Sequence, residues 1–242
     1  MPVSSRVSLC AAALLLASPF AMGDEAAIRK NLAERAPEFA KIDEVTKTPI
    51  PGIYEVRVGN EVAYTDEQGN YLIQGSLINT RTGVNITEQR VNKLNAIDFA
   101  SLPVKDAIVW KNGNGKRKLA IFADPNCGYC KHFERTLQGV KDITVYTFVI
   151  PILGGDSPEK SKAIWCQKDN TTAWRSWMLD GRMPFRLMGS CDASAIDRNL
   201  AFSMKHRVTG TPALVFEDGK RVPGALPPER VEKQLAASRA KA

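Results

Sequence analysis

The chain has 242 residues, 44% of them hydrophobic, which is enough for one large domain or two modest ones. Its formal net charge of +7 would suit nucleic acid or acidic lipid, but apart from Lys116-Arg117-Lys118 the basic residues are interleaved with acids. That pattern excludes a nucleic-acid-binding face and leaves the short basic run as a solvated turn; no repeat or low-complexity tract is present.

Residues 1–23 read as a secretory signal peptide, with Arg6 as the basic start, Leu9 to Leu16 as the apolar centre and Ala21-Met22-Gly23 as the small-x-small cleavage pattern. The apolar run is too short to span a membrane. Cys10 does not suit lipoprotein acylation, since it comes too early and follows the bulky Leu9. Removal of this segment takes Arg6 away, lowers the charge from +7 to +6, and leaves four of the five cysteines, an even number that fits disulfide chemistry in an oxidising compartment.

Residues 24–85 predict a small α+β domain. Asp24 caps a short helix with Ile28 and Leu32 on one face, stopping near Pro37. Beyond Pro51-Gly52 the period changes, and Ile53 to Val58, Val62 to Tyr64, Tyr71 to Ile73 and Leu77-Ile78 predict short strands separated by Gly59-Asn60 and by Asp66 to Asn70. A domain of about sixty residues with one helix buries little core alone, so it is completed either by a second copy or by packing on the larger domain. Asn85-Ile86-Thr87 matches a glycosylation sequon only formally.

Residues 86–103 predict a linker: a helix over Thr87 to Ser101 with Val91, Leu94, Ile97 and Ala100 on one narrow stripe, ended by Leu102-Pro103. From residue 104 to 242 the pattern is α/β. Ala107 to Trp110 predicts a strand, Asn112 to Gly115 a turn, Leu119 to Ala123 a buried strand, Phe133, Leu137 and Val140 a helix face, and Ile143 to Ile150 another buried strand. Helices follow over Ser157 to Gln167, Thr172 to Leu179 and Ala193 to Arg207 as a helical insertion, then a strand after Pro212, a turn over Glu217 to Lys220, and a last helix from Pro227-Pro228 through Leu235.

The chemistry gathers at Cys127-Gly128-Tyr129-Cys130, where a buried strand hands over to a helix. Free N–H groups and the positive end of the helix dipole favour negative charge there, so Cys127 should ionise more readily than a free cysteine. Cys130 shares a helix face with Phe133 and Leu137 and should point inward, which divides the labour between an attacking and a resolving sulfur. A c-type haem site wants histidine directly after the second cysteine, where Lys131 stands, and a zinc site wants a second close ligand pair, which Cys166 and Cys191 do not make. An inert disulfide staple is the remaining rival.

A strand, then Cys-Gly-Tyr-Cys opening a helix, then a distant Thr211-Pro212 before a strand, is similar to the thioredoxin fold. With the signal peptide, the small N-terminal sheet, the connector helix and the Ala163-Ile164-Trp165-Cys166 and Ser190-Cys191-Asp192 segments, the mature chain resembles the DsbC/DsbG family of bacterial periplasmic thiol-disulfide interchange proteins. The resemblance implies an α/β fold: a thioredoxin-like domain with a helical insertion, preceded by a small α+β dimerisation domain and a linker helix. It implies that Cys127 attacks and Cys130 resolves, and that Thr211-Pro212 forms a cis peptide facing the sulfurs and, with Gly128 and Tyr129, meets the substrate chain. Cys166 and Cys191 would pair as a structural disulfide, worth about 3 to 4 kcal/mol by loop entropy; the alternative, a second redox pair, lacks a close-spaced motif at a helix start.

The implied protein is a periplasmic homodimer that reshuffles wrong disulfides in misfolded exported proteins and is kept reduced by a membrane thiol reductant resembling DsbD. It needs no cofactor and no metal, has no nucleic-acid partner and does not insert into the membrane. Competing readings are a DsbG-like reductase of single oxidised cysteines, against which Gly128-Tyr129 speaks, and a redox-independent dimeric chaperone. The chain departs from the wider thioredoxin pattern six residues before the first cysteine, where a buried acid is usual and Ile121 stands. Asp124 and His132 are nearer but are left outside the catalytic set, as a turn residue and a solvent residue.

Overall fold

A computed structural model describes residues 20–185 and 190–239, so most of the expected signal peptide, with Cys10, lies outside the described residues. The chain divides into two compact units, with the boundary between Val91 and Asn92.

In the first unit α1 (Phe20–Arg35) is followed by β1 (Glu44–Lys47), β2 (Ile53–Val58), β3 (Glu61–Asp66) and β4 (Leu72–Ile73), an antiparallel sheet in the order β1-β2-β3-β4. A small hairpin of β5 (Ile78–Asn79) and β6 (Val84–Asn85) leads into α2 (Ile86–Leu94). Ile28 and Leu32 of α1 bury against Tyr54, Val56 and Ala63 of the sheet, with Phe39 closing the cluster. Strand β1 was not expected, because Glu44-Val45-Thr46-Lys47 has a single apolar residue; it is recruited by pairing with β2 and by charge. Arg57 meets Glu44 at 3.0 Å, and Arg90 of α2 reaches Glu44 and the buried Glu55 at 2.5 and 2.8 Å. Asp24 is not a helix cap: α1 already begins at Phe20, and the Asp24 carboxylate instead accepts the Tyr54 hydroxyl at 2.7 Å.

The second unit is built on a five-stranded sheet of β7 (Ile108–Asn112), β8 (Arg117–Ala123), β9 (Ile143–Val149), β10 (Ala213–Phe216) and β11 (Arg221–Pro223), in the order β11-β10-β8-β9-β7. Strands β8 and β9 run parallel, joined by α3 (Gly128–Leu137), and the other pairings are antiparallel. The unbroken apolar run of β8 serves both faces of this sheet. Leu119, Ile121 and Ala123 face Phe133 and Leu137 of α3 and the helices α5 (Asn170–Asp180) and α7 (Pro228–Arg239), while Ala120 and Phe122 face the opposite cluster around Phe148 and Val208. Between β9 and β10 lie α4 (Ser157–Trp165), α5 and α6 (Ser194–Lys205). Of the basic run only Lys116 lies exposed in the turn before β8. Arg117 and Lys118 open β8, and they pair with Glu232 and Glu217.

The linker helix is shorter than its stripe suggested. It ends at Leu94, and Phe99–Ser101 forms a separate 3-10 turn, with the Asp98 side chain accepting the Ala100 N–H at 3.0 Å. Ile97 leaves the helical path because its backbone N–H donates to Gly219 O at 3.0 Å and its side chain is 1% exposed among Phe122, Phe148 and Val215. Residue 97 is therefore core of the second unit. Ile97→Ala should lower the unfolding free energy of that unit by about 2–4 kcal/mol in denaturant titration; a change below about 0.5 kcal/mol would return the segment to the role of a connector.

Candidate active site

The loop from β8 to α3 is fixed by a buried carboxylate. Asp124 is fully buried, and its Oδ1 accepts the Asn126 N–H and the Ser157 hydroxyl, both at 2.7 Å, while Oδ2 accepts the Leu153 N–H at 3.0 Å. A carboxylate can lie in a protein interior only with such compensation. The next two residues are held as firmly: Trp177 Nε1 donates to Pro125 O at 2.6 Å, Asn126 Nδ2 donates to Asp156 Oδ1 at 2.7 Å, and Lys160 Nζ donates to Asn126 Oδ1 at 2.8 Å. Asp124 thus does more than turn the chain before Pro125, and both it and Trp177 were missed by sequence reasoning. The only signal was the Asp-Pro step itself, since apart from Asn126 the partners of Asp124 lie about thirty positions away in the chain.

This loop delivers Cys127 to the N-cap of α3, where its sulfur accepts the Cys130 N–H at 3.2 Å. A thiolate satisfies an unpaired helix N–H better than a thiol does, so the cap favours ionisation. The Cys127 thiol is held down to about 6, chiefly by hydrogen bonding from the Cys130 side chain, against the opposing effect of burial and with help from the backbone N–H groups of Cys130 and Tyr129. For Cys130 burial dominates and pushes its thiol far up, reinforced by the neighbouring Cys127. Neither sulfur is bonded to another cysteine, and both residues are nearly covered, at 4% and 3% exposure. Gly128 and Tyr129 between them are exposed, Tyr129 at 73%.

The Thr211–Pro212 peptide is cis. It brings the Thr211 carbonyl to 3.2 Å from Cys127 Sγ although 84 positions separate them in the chain. The Thr211 hydroxyl is buried with no hydrogen-bond partner among the described residues. Cys166, at the end of α4, and Cys191, before α6, are joined by a disulfide within the helical insertion, remote in sequence from the Cys127 motif. His132 is exposed. Among the described residues no group of three or more histidine, cysteine or acidic side chains is placed to hold a metal ion.

The position of the usual buried acid is Ile121, yet α3 carries one of its own. Glu134, one turn beyond Cys130, is 3% exposed, with Arg175 Nε 3.8 Å from its Oε1. Burial pushes its carboxyl up to about 7, against the lowering influence of Arg175, Trp174 and Trp110. Sequence reading missed it because Glu134 sits on a helix where acids are ordinarily solvated; it shares the buried face of Cys130, Phe133 and Leu137.

A mixed sheet with a parallel β-α-β core, two cysteines at its strand-to-helix junction and a cis proline against them define a thioredoxin-like thiol-disulfide oxidoreductase. Residues 104–239 match the thioredoxin-like domain family and residues 19–88 match the N-terminal domain of disulfide bond isomerase proteins. A probable thiol:disulfide interchange protein DsbC of Bordetella pertussis is 41% identical over 209 residues, covering 86% of this chain and 73% of that protein. The thiol:disulfide interchange protein DsbC of Escherichia coli is 32% identical, with 90% of each chain covered. A crystal structure of a disulfide interchange protein from Neisseria gonorrhoeae superimposes with a TM-score of 0.53 at 35% identity, covering 57% of this chain and 99% of that one. The chain belongs to the DsbC family of thiol:disulfide interchange proteins.

Two pH dependences follow from the two shifted groups. Alkylation of the reduced native chain at Cys127 should rise with pH through a midpoint near 6, followed as thiolate absorbance, and Cys130→Ala should move that midpoint upward because it removes the largest lowering influence; a native midpoint near 9 would refute the shift. Glu134 has a folded value raised from 4.5 to about 7, so the native state holds its proton more tightly and loses stability as pH climbs between those values. The stability of Glu134→Gln relative to the native sequence should therefore improve from pH 4.5 to 7 and level off above, in denaturant titrations across that range.

Proposed function

We propose that Cys127 is the attacking thiolate and Cys130 the resolving thiol of a disulfide isomerase. The observation that carries this is the asymmetric placement of the two sulfurs: Cys127 caps the helix and is lowered chiefly by the hydrogen bond from the Cys130 side chain, while Cys130 lies inward and is raised by burial. The Cys127 thiolate attacks one sulfur of a wrong disulfide, the old S–S bond breaks, and its electron pair leaves on the second substrate sulfur. A mixed disulfide results. A further substrate thiolate can then attack it, which returns the Cys127 thiolate and leaves a rearranged disulfide. Alternatively Cys130 loses its proton and attacks, giving a Cys127–Cys130 disulfide and a reduced substrate. Because burial keeps Cys130 protonated, substrate thiols have time to compete, and this favours reshuffling over net reduction. The exposed Tyr129 and Gly128 and the Thr211-Pro212 backbone would receive the substrate chain.

The substrates are misfolded disulfide-containing proteins exported to the periplasm, the compartment to which a signal peptide over residues 1–23 would send this chain. When the pair becomes oxidised, a membrane thiol reductant resembling DsbD restores it. The N-terminal domain serves as the homodimer module: β4 is the last strand of its sheet, and Tyr71, Ile73 and Ile78 expose 73%, 50% and 50% of their surface there and in the neighbouring hairpin. Two redox units carried by one dimer would raise the effective concentration of thiolate around a bound chain.

Reactivation of a scrambled multi-disulfide enzyme tests the whole scheme. Cys130→Ala should retain a measurable part of the activity while accumulating mixed disulfides, because internal resolution is lost. A shortened chain should begin at Asn92, which keeps Ile97 in its core, and should be monomeric, exchange small disulfides and lose most of the reactivation. A Cys130→Ala protein that turns over fully as a reductase without adducts, or a shortened monomer with undiminished isomerase activity, would refute it.

A further inference from the structure

Beside the cysteines, two cations share one aromatic ring. Lys131 Nζ lies 4.0 Å from the centre of the Trp177 ring and Lys160 Nζ 4.6 Å from it. Trp177 is itself fixed to Pro125 O, two positions before Cys127, and Lys160 donates to Asn126, the residue directly before Cys127. Lys131 follows the motif in the first turn of α3, and its N–H donates to Cys127 O. The ring and both ammonium groups are therefore tied to the residues on either side of Cys127 in the chain.

The charge balance of this cluster is incomplete. Lys160 has Asp156 at 3.0 Å as counter-charge. Lys131 has no ion pair among the described residues, and its nearest charged influences are Lys160 and Arg135, both positive; burial and these two cations hold its ammonium below the ordinary lysine value. Asp124 is consumed by its own hydrogen bonds in the loop. A cation kept partly buried on an aromatic face beside a second cation, with no anion of its own, is positioned to receive one.

We propose that Lys131 and Lys160, seated on Trp177 beside Cys127, form a carboxylate-recognising rim that favours disulfides carrying negative charge close to their sulfurs. The carboxylate could belong to a small disulfide such as oxidised glutathione or to an acidic residue flanking a cysteine of a protein substrate; the recognising chemistry is the same. The inference rests on Cys127 being the attacking thiolate. Exchange itself is unaltered: the Cys127 thiolate forms the new S–S bond, the old one breaks, and the departing sulfur carries the electron pair away, with no outside oxidant.

The test compares rates of the reduced full chain with oxidised glutathione, neutral hydroxyethyl disulfide and cationic cystamine, and with two cystine peptides that differ only in Glu or Gln beside the cysteines. In Lys131→Gln and Lys160→Gln the ratio of anionic to neutral rates should fall about two- to fivefold, the cationic ratio should rise, and raised salt should reproduce both effects in the native sequence. Using ratios cancels any change in thiolate population. A response to glutathione alone identifies free small carboxylates as the ligand, and a response to the Glu peptide alone identifies acidic flanks; either supports the rim. Ratios that match the native sequence in both variants, or that ignore salt in the native chain, overturn it. If Cys127→Ala still consumes hydroxyethyl disulfide, the attacking-thiol assignment has failed, and the rim falls with it for that separate and visible reason.

Discussion

The contact on which the site depends is the backbone N–H of Cys130 donating to the sulfur of Cys127. A helix must leave its first N–H groups without backbone partners, and here one of them is met by sulfur instead of the usual oxygen of a capping side chain. That placement, with the hydrogen bond from the Cys130 side chain and the burial of Cys130, separates two chemically identical groups. The sulfur at the cap is rewarded for being charged, while the sulfur one turn inward is enclosed among Phe133, Leu137 and the sheet and is penalised for it.

Such a cap is useful only if the loop before it cannot relax, and the loop is held by the helical insertion. Each of the three residues before Cys127 makes a contact with the segment between β9 and the end of α5: Asp124 with Leu153 and Ser157, Pro125 with Trp177, Asn126 with Asp156 and Lys160. The Cys166–Cys191 disulfide lies inside that insertion and restricts it. The insertion therefore acts on the chemistry at a distance, by holding the backbone that aims the sulfur. Opposite it, the Thr211 carbonyl approaches the same sulfur from β10's side of the sheet.

The regular elements were legible wherever burial follows a period. Leu119 to Ala123 and Ile143 to Ile150 are continuous apolar runs because both faces of their strands are covered, and α3 places Cys130, Phe133 and Leu137 on one stripe. Reading failed where a tertiary contact outweighed the local pattern. Val91, Leu94 and Ile97 keep helical spacing, yet Ile97 is taken by the core of the second unit and the helix stops at Leu94. Strand β1 has almost no apolar signal and exists because β2 and Arg57 recruit it. Asp24 carries a capping residue's identity but spends its carboxylate on Tyr54.

The order of strands and helices in the second unit and the position of a cysteine at a helix start are legible in the chain alone, because both are set by neighbours a few residues apart. The burial of Asp124, the raised carboxyl of Glu134, the approach of Thr211 to Cys127 and the pairing of two lysines on Trp177 were decided only by the tertiary structure. The reason is the range of the forces involved. Helix caps and apolar periods are written in adjacent residues, whereas desolvation, charge pairing and ring contacts depend on which distant segments the fold brings within a few ångströms, and an isolated Asp, Glu or Trp carries no mark of that future neighbour.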